Sequence, residues 1–184
     1  AIGSSADRPA ALAELIGILV NNGQRMPMVR IEEIKAAAET PYEVSFSRKS
    51  GGGERVLSPE IAEVTKGLLF DVVKKGTAIR GNRSFVRPDG KEILLGGKTG
   101  TGDHRYEIYG KGGVLVGSKV MNRTATFVFM IGNRFFGTMT AFVPGPDAAG
   151  YGFTSSLPIA ILKVLAPNLM PLVDSPGGNP GPSS

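Results

Sequence analysis

The spacing of apolar positions predicts two helices in the first half of the chain. The first begins with Asp7 or Ser5 as its cap and ends at Gly23 after a stripe of apolar residues at helical spacing. The second begins with Ser58 as its cap and Pro59 at its first position, and Gly76 ends it. The residues expected to face the core are Leu12, Leu15, Ile16 and Leu19 in the first helix, and Ile61, Val64, Leu68 and Val72 in the second.

A third helix is predicted near the carboxyl end. It starts at Ser155 or Ser156 and ends at Ala166, because Pro167 follows. Apolar residues cover most of its circumference, so it is expected to pack tightly on a sheet. Residues 171–184 are rich in Pro, Gly and Ser, and this composition predicts a disordered tail.

Other segments alternate or run apolar as strands do. Residues 41–47 alternate and predict a half-buried strand, and residues 28–34 are a weaker candidate. Residues 124–131 and 135–143 are rich in strand formers, and Gly132-Asn133 between them predicts a hairpin turn. A further strand runs from residue 92 into a glycine-rich segment. The predicted fold class is therefore α+β, with an antiparallel sheet flanked by helices.

Composition and charge narrow the function classes. The chain has 184 residues, no cysteine and one histidine, which argues against disulfides, thiolate metal sites and structural zinc. The net charge of +5 could serve nucleic acid, an anionic membrane or an anionic wall polymer. Basic residues alternate with acids and no nucleic-acid-binding motif accompanies them, so we expect no nucleic-acid partner. The longest apolar run, residues 125–131, is far shorter than the ~20 residues of a membrane-spanning helix.

The candidate chemistry lies in residues 96–103, which we call the glycine-rich octet. It holds one cation, Lys98, and the hydroxyls of Thr99 and Thr101 among four glycines. Strand alternation places Lys98 and Gly100 on one face and the two threonines on the other. At a sheet edge, such a segment can hold an extended peptide and clamp its carboxylate. A phosphate-binding P-loop is rejected because Glu92 stands where that motif needs glycine, and a glycine loop without chemistry is the remaining alternative.

Lys98-Thr99-Gly100 matches one of three signatures of penicillin-binding proteins and serine β-lactamases. It is preceded by residues 1–5, 11–15, 21–23, 55–60 and 73–78. Their order and spacing resemble the C-terminal half of the transpeptidase domain of class A, bifunctional penicillin-binding proteins. The resemblance covers about residues 1–165, and we assign residues 1–170 to this domain. It implies a five-stranded sheet between helices, with the active site along one edge strand.

Two other signatures of that family do not occur in the sequence. Neither Ser-x-x-Lys, which carries the nucleophile, nor Ser-x-Asn is present, and the nearest segment ends in Arg48, which cannot act as a base. Both signatures precede the similar region in the family. We therefore expect an incomplete domain whose nucleophilic serine, and one sheet strand, lie on an N-terminal segment that this chain lacks.

The segment after Thr101 also departs from the family pattern. Asp103 keeps an acidic position, whereas His104 is expected to be an exposed loop residue. The next clear strand is expected only after a longer connection.

The resemblance implies a serine-type DD-transpeptidase that cross-links peptidoglycan stem peptides and is acylated by β-lactams, with no metal or organic cofactor. Lys98 would bind the substrate carboxylate and tune the site, helped by the hydroxyls of Thr99 and Thr101. The Thr101 N–H would supply half of the oxyanion hole, and Gly100 would leave room for the ligand. The expected location is the periplasmic side of the bacterial inner membrane, with an anchor outside this chain.

Two alternatives remain at this point. One is a serine β-lactamase or β-lactam sensor on the same scaffold. The other is a non-catalytic cell-wall-binding module, which the missing serine signature favours.

Overall fold

The computed structural model describes residues 8–29, 31, 33–47 and 51–175. The predicted cap of the first helix, Ser5 or Asp7, lies outside these residues. Three α-helices, seven strands and three short 3₁₀ turns are present in the described part. In chain order the regular elements are α1 (Pro9–Val20), β1 (Gln24–Arg25), β2 (Glu33–Ala36), β3 (Val44–Ser47), β4 (Glu54–Arg55), α2 (Pro59–Lys75), β5 (Leu95–Tyr109), β6 (Leu115–Ile131), β7 (Phe135–Pro144) and α3 (Ser156–Asp174).

The central sheet has three antiparallel strands in the order β5-β6-β7. Leu95 pairs with Ile131, and Ile131 pairs with Phe135. The predicted hairpin turn is confirmed between β6 and β7, where Gly132 has a φ of +58°. Because strand order ends at β5, this strand forms an open edge among the described residues. The helices and this sheet confirm the α+β class.

The two faces of the sheet contribute to different core clusters, because neighbouring residues of a strand point to opposite sides. Leu95 belongs to a core cluster with Ile159 and Leu162 of α3. Met130, on the other face, packs with Ile16 and residues of α1 and α2. The buried members of the first cluster are Val73, Ala78, Phe85, Leu95, Phe127, Ile131, Ile159, Leu162, Ala166 and Val173. Those of the second are Ile16, Leu19, Val20, Ala62 and Met130.

Helix α2 has the predicted ends but a different buried face. The Ser58 hydroxyl accepts the Ile61 N–H at 3.4 Å, and Gly76 ends the helix. The prediction that Ile61, Val64 and Leu68 face the core is wrong, because these side chains are 55%, 66% and 62% exposed. The buried residues of α2 are instead Ala62, Lys66 and Val73.

Lys66 is buried because it has two polar partners, one on its own helix and one just after the end of α1. Its ammonium lies 2.7 Å from a Glu63 carboxylate oxygen and 3.3 Å from the Asn22 amide oxygen. A small residue, Ala62, and this paired lysine allow α2 to approach α1 closely. Apolar spacing alone cannot reveal such a contact.

Helix α3 is longer than predicted, and its expected end at Ala166 is wrong. It continues through Pro167 and Pro171 to Asp174, so residues 171–174 of the predicted tail are helical. Burial of Val173 and an ion pair between Arg87 and Asp174, at 2.5 Å, hold the last turn in place. The rest of the predicted tail, residues 176–184, lies outside the described residues.

By length and composition, α3 is also apolar enough to cross a membrane, in contrast to the expectation from the longest apolar run. Its buried residues, which include Ile159 and Leu162, belong to the core beneath the sheet. One face of α3 therefore packs into the core.

The segment between α1 and α2 differs from its prediction. The strand expected at residues 28–34 begins instead at Glu33 and pairs with β3 as a two-stranded hairpin. Both strands are exposed along their whole length, so the predicted half-buried strand at residues 41–47 is wrong. Ala37 and Glu39 adopt positive φ values of 53° and 61° in the turn that joins them.

Candidate active site

The glycine-rich octet lies where β5 leaves the packed part of the sheet. Leu95, Gly96 and Gly97 are buried, whereas Lys98 and Gly100 are exposed. A Cβ on Gly97 would meet the Val128 carbonyl oxygen and come within 2.7 Å of the Phe127 ring. A Cβ on Gly100 would have no neighbour within 4 Å. The two glycines therefore do different things: the first permits close packing, and the second leaves space above the strand.

The main chain of β5 presents hydrogen-bonding groups at the open edge. The Gly132 N–H donates to the Leu94 carbonyl at 2.8 Å, so the ladder bonds fall on alternate residues counted from Leu94. The register between β5 and β6 is continuous as far as His104. Lys98 and Gly100 therefore direct their N–H and C=O groups to β6, and Thr99 and Thr101 direct theirs to the open edge.

Lys98, Thr99 and Thr101 of the octet each have a hydrogen-bond partner. The Lys98 ammonium donates to the main-chain carbonyl of the next residue, Thr99, at 2.5 Å. The Thr99 hydroxyl lies 3.0 Å from the Thr77 hydroxyl. The Thr101 hydroxyl accepts the Ser155 N–H at 2.9 Å. The structure thus brings together the octet, the segment after α2 and the start of α3.

A cluster of charges follows directly after Thr101. Asp103 pairs with Arg123 across the sheet, and their carboxylate and guanidinium groups lie 3.0 Å apart. Arg105 contacts the other carboxylate oxygen of Asp103 at 3.4 Å. Arg123 also donates to the Phe153 carbonyl at 2.8 Å. Sequence reasoning assigned no site contact to Thr77, Arg123 or Ser155, because their contacts depend on strand register and on the approach of distant segments.

The longer connection predicted after Thr101 is wrong, because β5 continues as a strand to Tyr109. Residues 105–109 of β5 and 115–120 of β6 pair beyond the end of β7, and we call this pair the distal ribbon. Two register shifts, after His104 and after Ile108, mark bulges in it. His104 is exposed as expected, but it lies in a strand and not in a loop.

The described part of the chain contains no cluster of potential metal ligands. Within residues 8–29, 31, 33–47 and 51–175, no group of three or more His, Cys, Asp or Glu side chains is placed to hold a metal ion. The polar groups at the octet are instead a cation, hydroxyls and main-chain N–H donors. These groups suit an anionic ligand with an extended backbone.

No protein-family model matches the sequence, and no curated protein matches it either. Solved structures do match its fold. Penicillin-binding protein 3 from Mycobacterium tuberculosis, in its apo form, is 20% identical over 91% of this chain and 36% of that chain, with a TM-score of 0.56. Structures of the same protein are also known with aztreonam and with ampicillin.

Two further matches come from other bacteria. A peptidoglycan glycosyltransferase from Burkholderia ambifaria is 19% identical over 95% of this chain and 43% of that chain, with a TM-score of 0.53. A peptidoglycan synthetase from Bifidobacterium adolescentis is 16% identical over 92% of this chain and 28% of that chain, with a TM-score of 0.54. This chain spans about a third of the length of such neighbours, and it has the fold of part of a penicillin-binding-protein-like transpeptidase domain.

Proposed function

We propose that this chain is the substrate-binding part of a peptidoglycan DD-transpeptidase of the class A, bifunctional type. The observation that carries the proposal is the open edge of β5 at Lys98–Thr101. There, a cation, outward-facing main-chain groups and an uncovered glycine occur together. The complete enzyme would cross-link stem peptides through a serine acyl-enzyme.

The donor stem peptide would bind as an added strand along this edge. Its main chain would pair with the outward N–H and C=O groups of Thr99 and Thr101. Its terminal carboxylate would meet the ammonium of Lys98 and the two threonine hydroxyls, which are charge-assisted contacts. Gly100 leaves the space for this strand, because no atom lies within 4 Å of the position of its Cβ.

The reaction would be acyl transfer in two steps. A serine hydroxyl attacks the carbonyl carbon between the two D-alanines, loses its proton to a base, and forms a tetrahedral oxyanion. The Thr101 N–H would donate to this oxyanion. The C–N bond then breaks, the terminal D-alanine leaves as an amine that takes up a proton, and an acyl-enzyme remains. An amine of a second stem peptide attacks the ester, forms the cross-link and releases the serine.

The nucleophile would come from outside these residues, since Ser-x-x-Lys does not occur in the sequence. The partners are therefore stem peptides, β-lactams and the N-terminal part of the same domain. Binding of aztreonam and ampicillin by the mycobacterial neighbour supports β-lactams as ligands here. We propose the periplasmic side of the inner membrane as the location, because peptidoglycan is cross-linked there.

The test uses a fluorescent penicillin and the complete domain. We expect a covalent adduct on a serine outside residues 1–184, whereas the 184-residue chain alone stays unlabelled by intact mass. Lys98→Ala should slow acylation at least tenfold because a charge-assisted contact is lost, and such contacts contribute about 1.5–3 kcal/mol. Lys119→Ala is the matched control, since Lys119 is an exposed lysine of the distal ribbon.

Three outcomes would contradict the proposal. A stoichiometric adduct on a serine of this chain would place the nucleophile here. Equal acylation rates in the Lys98→Ala and Lys119→Ala variants would remove Lys98 from the site. Rapid, repeated hydrolysis of a chromogenic cephalosporin would identify a β-lactamase instead.

A further inference from the structure

The loop before α3 is attached to β5 at two neighbouring places. The Ser155 N–H donates to the Thr101 hydroxyl, and two residues earlier the Phe153 carbonyl accepts from Arg123. Arg123 in turn pairs with Asp103, which follows Thr101 by two residues on the same face of β5. Thr101 and Asp103 are thus joined through a closed path of hydrogen bonds that includes the loop.

Arg123 is the centre of this path. Its guanidinium donates to Asp103 at 3.0 Å and to the Phe153 carbonyl at 2.8 Å, and it lies 5.5 Å from the centre of the Phe153 ring. Its side chain is only 18% exposed, and that of Asp103 is 23% exposed. A planar guanidinium with several donors in a fixed fork can hold a carboxylate and a carbonyl at once. Arg123 therefore fixes the loop to the sheet.

The fixed loop determines what the Thr101 hydroxyl can do. A hydroxyl carries one proton and two lone pairs. Because one lone pair accepts the Ser155 N–H, the proton is directed elsewhere and can be donated to a ligand. Without the Ser155 N–H, the hydroxyl could rotate, and its proton would have no preferred direction.

Arg123 also offsets the negative charge of Asp103. Two residues along a strand span only about 7 Å, so an unpaired Asp103 carboxylate would repel an anion bound at Thr101. Arg123 and Arg105 contact one carboxylate oxygen each and offset this charge. The cluster thus keeps an acid beside an anion-binding site without opposing the anion.

We propose that Asp103 and Arg123 are positioning residues for the binding of a ligand carboxylate. They hold the loop so that the Ser155 N–H sets the Thr101 hydroxyl as a donor. The ligands in question are the carboxylates of stem peptides and of β-lactams, so this inference rests on the proposed function. The two residues act on carboxylate binding and not on the chemical step, which depends on the Thr101 N–H.

The test compares binding with chemistry in the complete domain, with ampicillin as the probe. In Arg123→Met, the dissociation constant should rise about tenfold, as expected for losing one oriented donor to a charged group. The limiting acylation rate should stay within about twofold. The methyl ester of ampicillin, which lacks the charge, should bind wild type and variant within about twofold.

Arg105→Met is the matched control. It removes the same charge beside the same carboxylate, but Arg105 contacts Ser118 and not the loop before α3. We expect its dissociation constant for ampicillin to remain within about twofold of wild type. An effect as large as that of Arg123→Met would show simple charge loss and overturn the positioning role.

Ser155→Pro tests the same path from its other end. Proline removes the N–H that Thr101 accepts. The φ of Ser155 is −55°, which lies within the range that proline adopts. This variant should reproduce the rise in dissociation constant, and the double variant with Arg123→Met should add little more, because both break one path. Full additivity would contradict a shared path, and Ser155→Pro also gives the answer if Arg123→Met fails to fold.

The outcomes separate this inference from the proposed function. If the wild-type domain is not acylated by ampicillin, the proposed function and the inference both fail. If acylation and its dependence on Lys98 are as proposed, but Arg123→Met leaves the dissociation constant unchanged or lowers the limiting rate in parallel, only the inference fails.

Discussion

The two ends of β5 differ in what holds them. At the near end, Leu95, Gly96 and Gly97 are buried between the two core clusters. At the far end, residues 103–109 are exposed, and their main support is pairing with β6. Both ends are regular strand, yet one is fixed by packing on both faces and the other by hydrogen bonds of a ribbon.

The octet spans the boundary between the packed near end of β5 and its exposed far end. Its first residues are immobilised by the core, and Lys98–Thr101 extend from that base with one edge open. A binding strand needs this combination, because its groups must be held in register while their hydrogen-bonding edge remains accessible. The following predictions test how strongly stability and ligand binding differ between the two sides of this boundary.

The largest effect is expected at Thr101. Thr101→Pro removes the outward N–H, and loss of one oxyanion donor typically slows catalysis about 100- to 1000-fold. Thr101→Ser keeps both N–H and hydroxyl and should be mild. Thr101→Ala keeps the N–H and should mainly weaken carboxylate binding. The measurement is the acylation rate constant of the complete domain with a fluorescent penicillin.

Proline also disturbs strands, so the melting temperature of the Thr101→Pro variant must be checked before its rate is compared. A well-folded proline variant that is acylated as fast as the alanine variant would refute the role of the N–H. Thr101 would then act, if at all, through its side chain.

Truncation of an apolar residue should separate the two ends by stability. Leu95→Ala at the near end should lower the free energy of unfolding by about 3 kcal/mol, because it leaves a cavity in the first core cluster. Ile108→Ala at the far end should cost less than about 1 kcal/mol, because that side chain is 48% exposed. Denaturant unfolding of the complete domain measures both, and equal losses would mean that the distal ribbon is packed in the complete domain.

The two glycines give a subtler comparison. Gly97→Ala should destabilise the domain by about 1–3 kcal/mol, because the methyl group would press on the Phe127 ring and the Val128 carbonyl. Gly100→Ala should change stability by less than about 0.5 kcal/mol but weaken ligand binding, since its methyl group would occupy free space above the strand. Thermal melts and acylation kinetics on the same samples measure stability and ligand binding in both variants. If the two variants lose stability and binding to the same extent, the two glycines do not have different roles.

The smallest effect concerns titration at the far end. The hydrogen bond from the Tyr109 hydroxyl to the Glu107 carboxylate raises the pKa of Tyr109 above its ordinary value near 10. The bond requires neutral tyrosine, so its contribution is complete at lower pH and is lost as pH rises through the raised pKa. The ultraviolet difference titration between wild type and Tyr109→Phe should show a late-titrating tyrosine. Titration of that tyrosine at or below pH 10 would contradict the contact.

Local chemistry predicted element ends better than it predicted packing. Ser58, Pro59 and Gly76 set the limits of α2 through groups within the segment itself, and these limits are confirmed. The choice of buried face depends on the neighbour, and α1 meets the side of α2 that carries Ala62 and Lys66. Helix α3 continues past Pro167 for a similar reason, since distant residues such as Arg87 hold its final turn.

The octet could be recognised from sequence because its residue types are unusual together. The length of β5 could not, because Gly102 and Asp103 are weak strand formers that become strand by pairing with β6. The Asp103–Arg123 pair was likewise hidden, since the two residues are neighbours only in the correct register. The roles assigned to Lys98, Thr99, Gly100 and Thr101 stay predictions.

The bulge after His104 bears on how this protein can change through evolution. Met121 is the extra residue there, because His104 pairs with Asn122 while Arg105 pairs with Val120. An irregular step of this kind can absorb inserted or deleted residues, so the distal ribbon can change length while Lys98 keeps its pairing with Val128. The ribbon can thus vary in length without a change in the register of the segment that carries the candidate site.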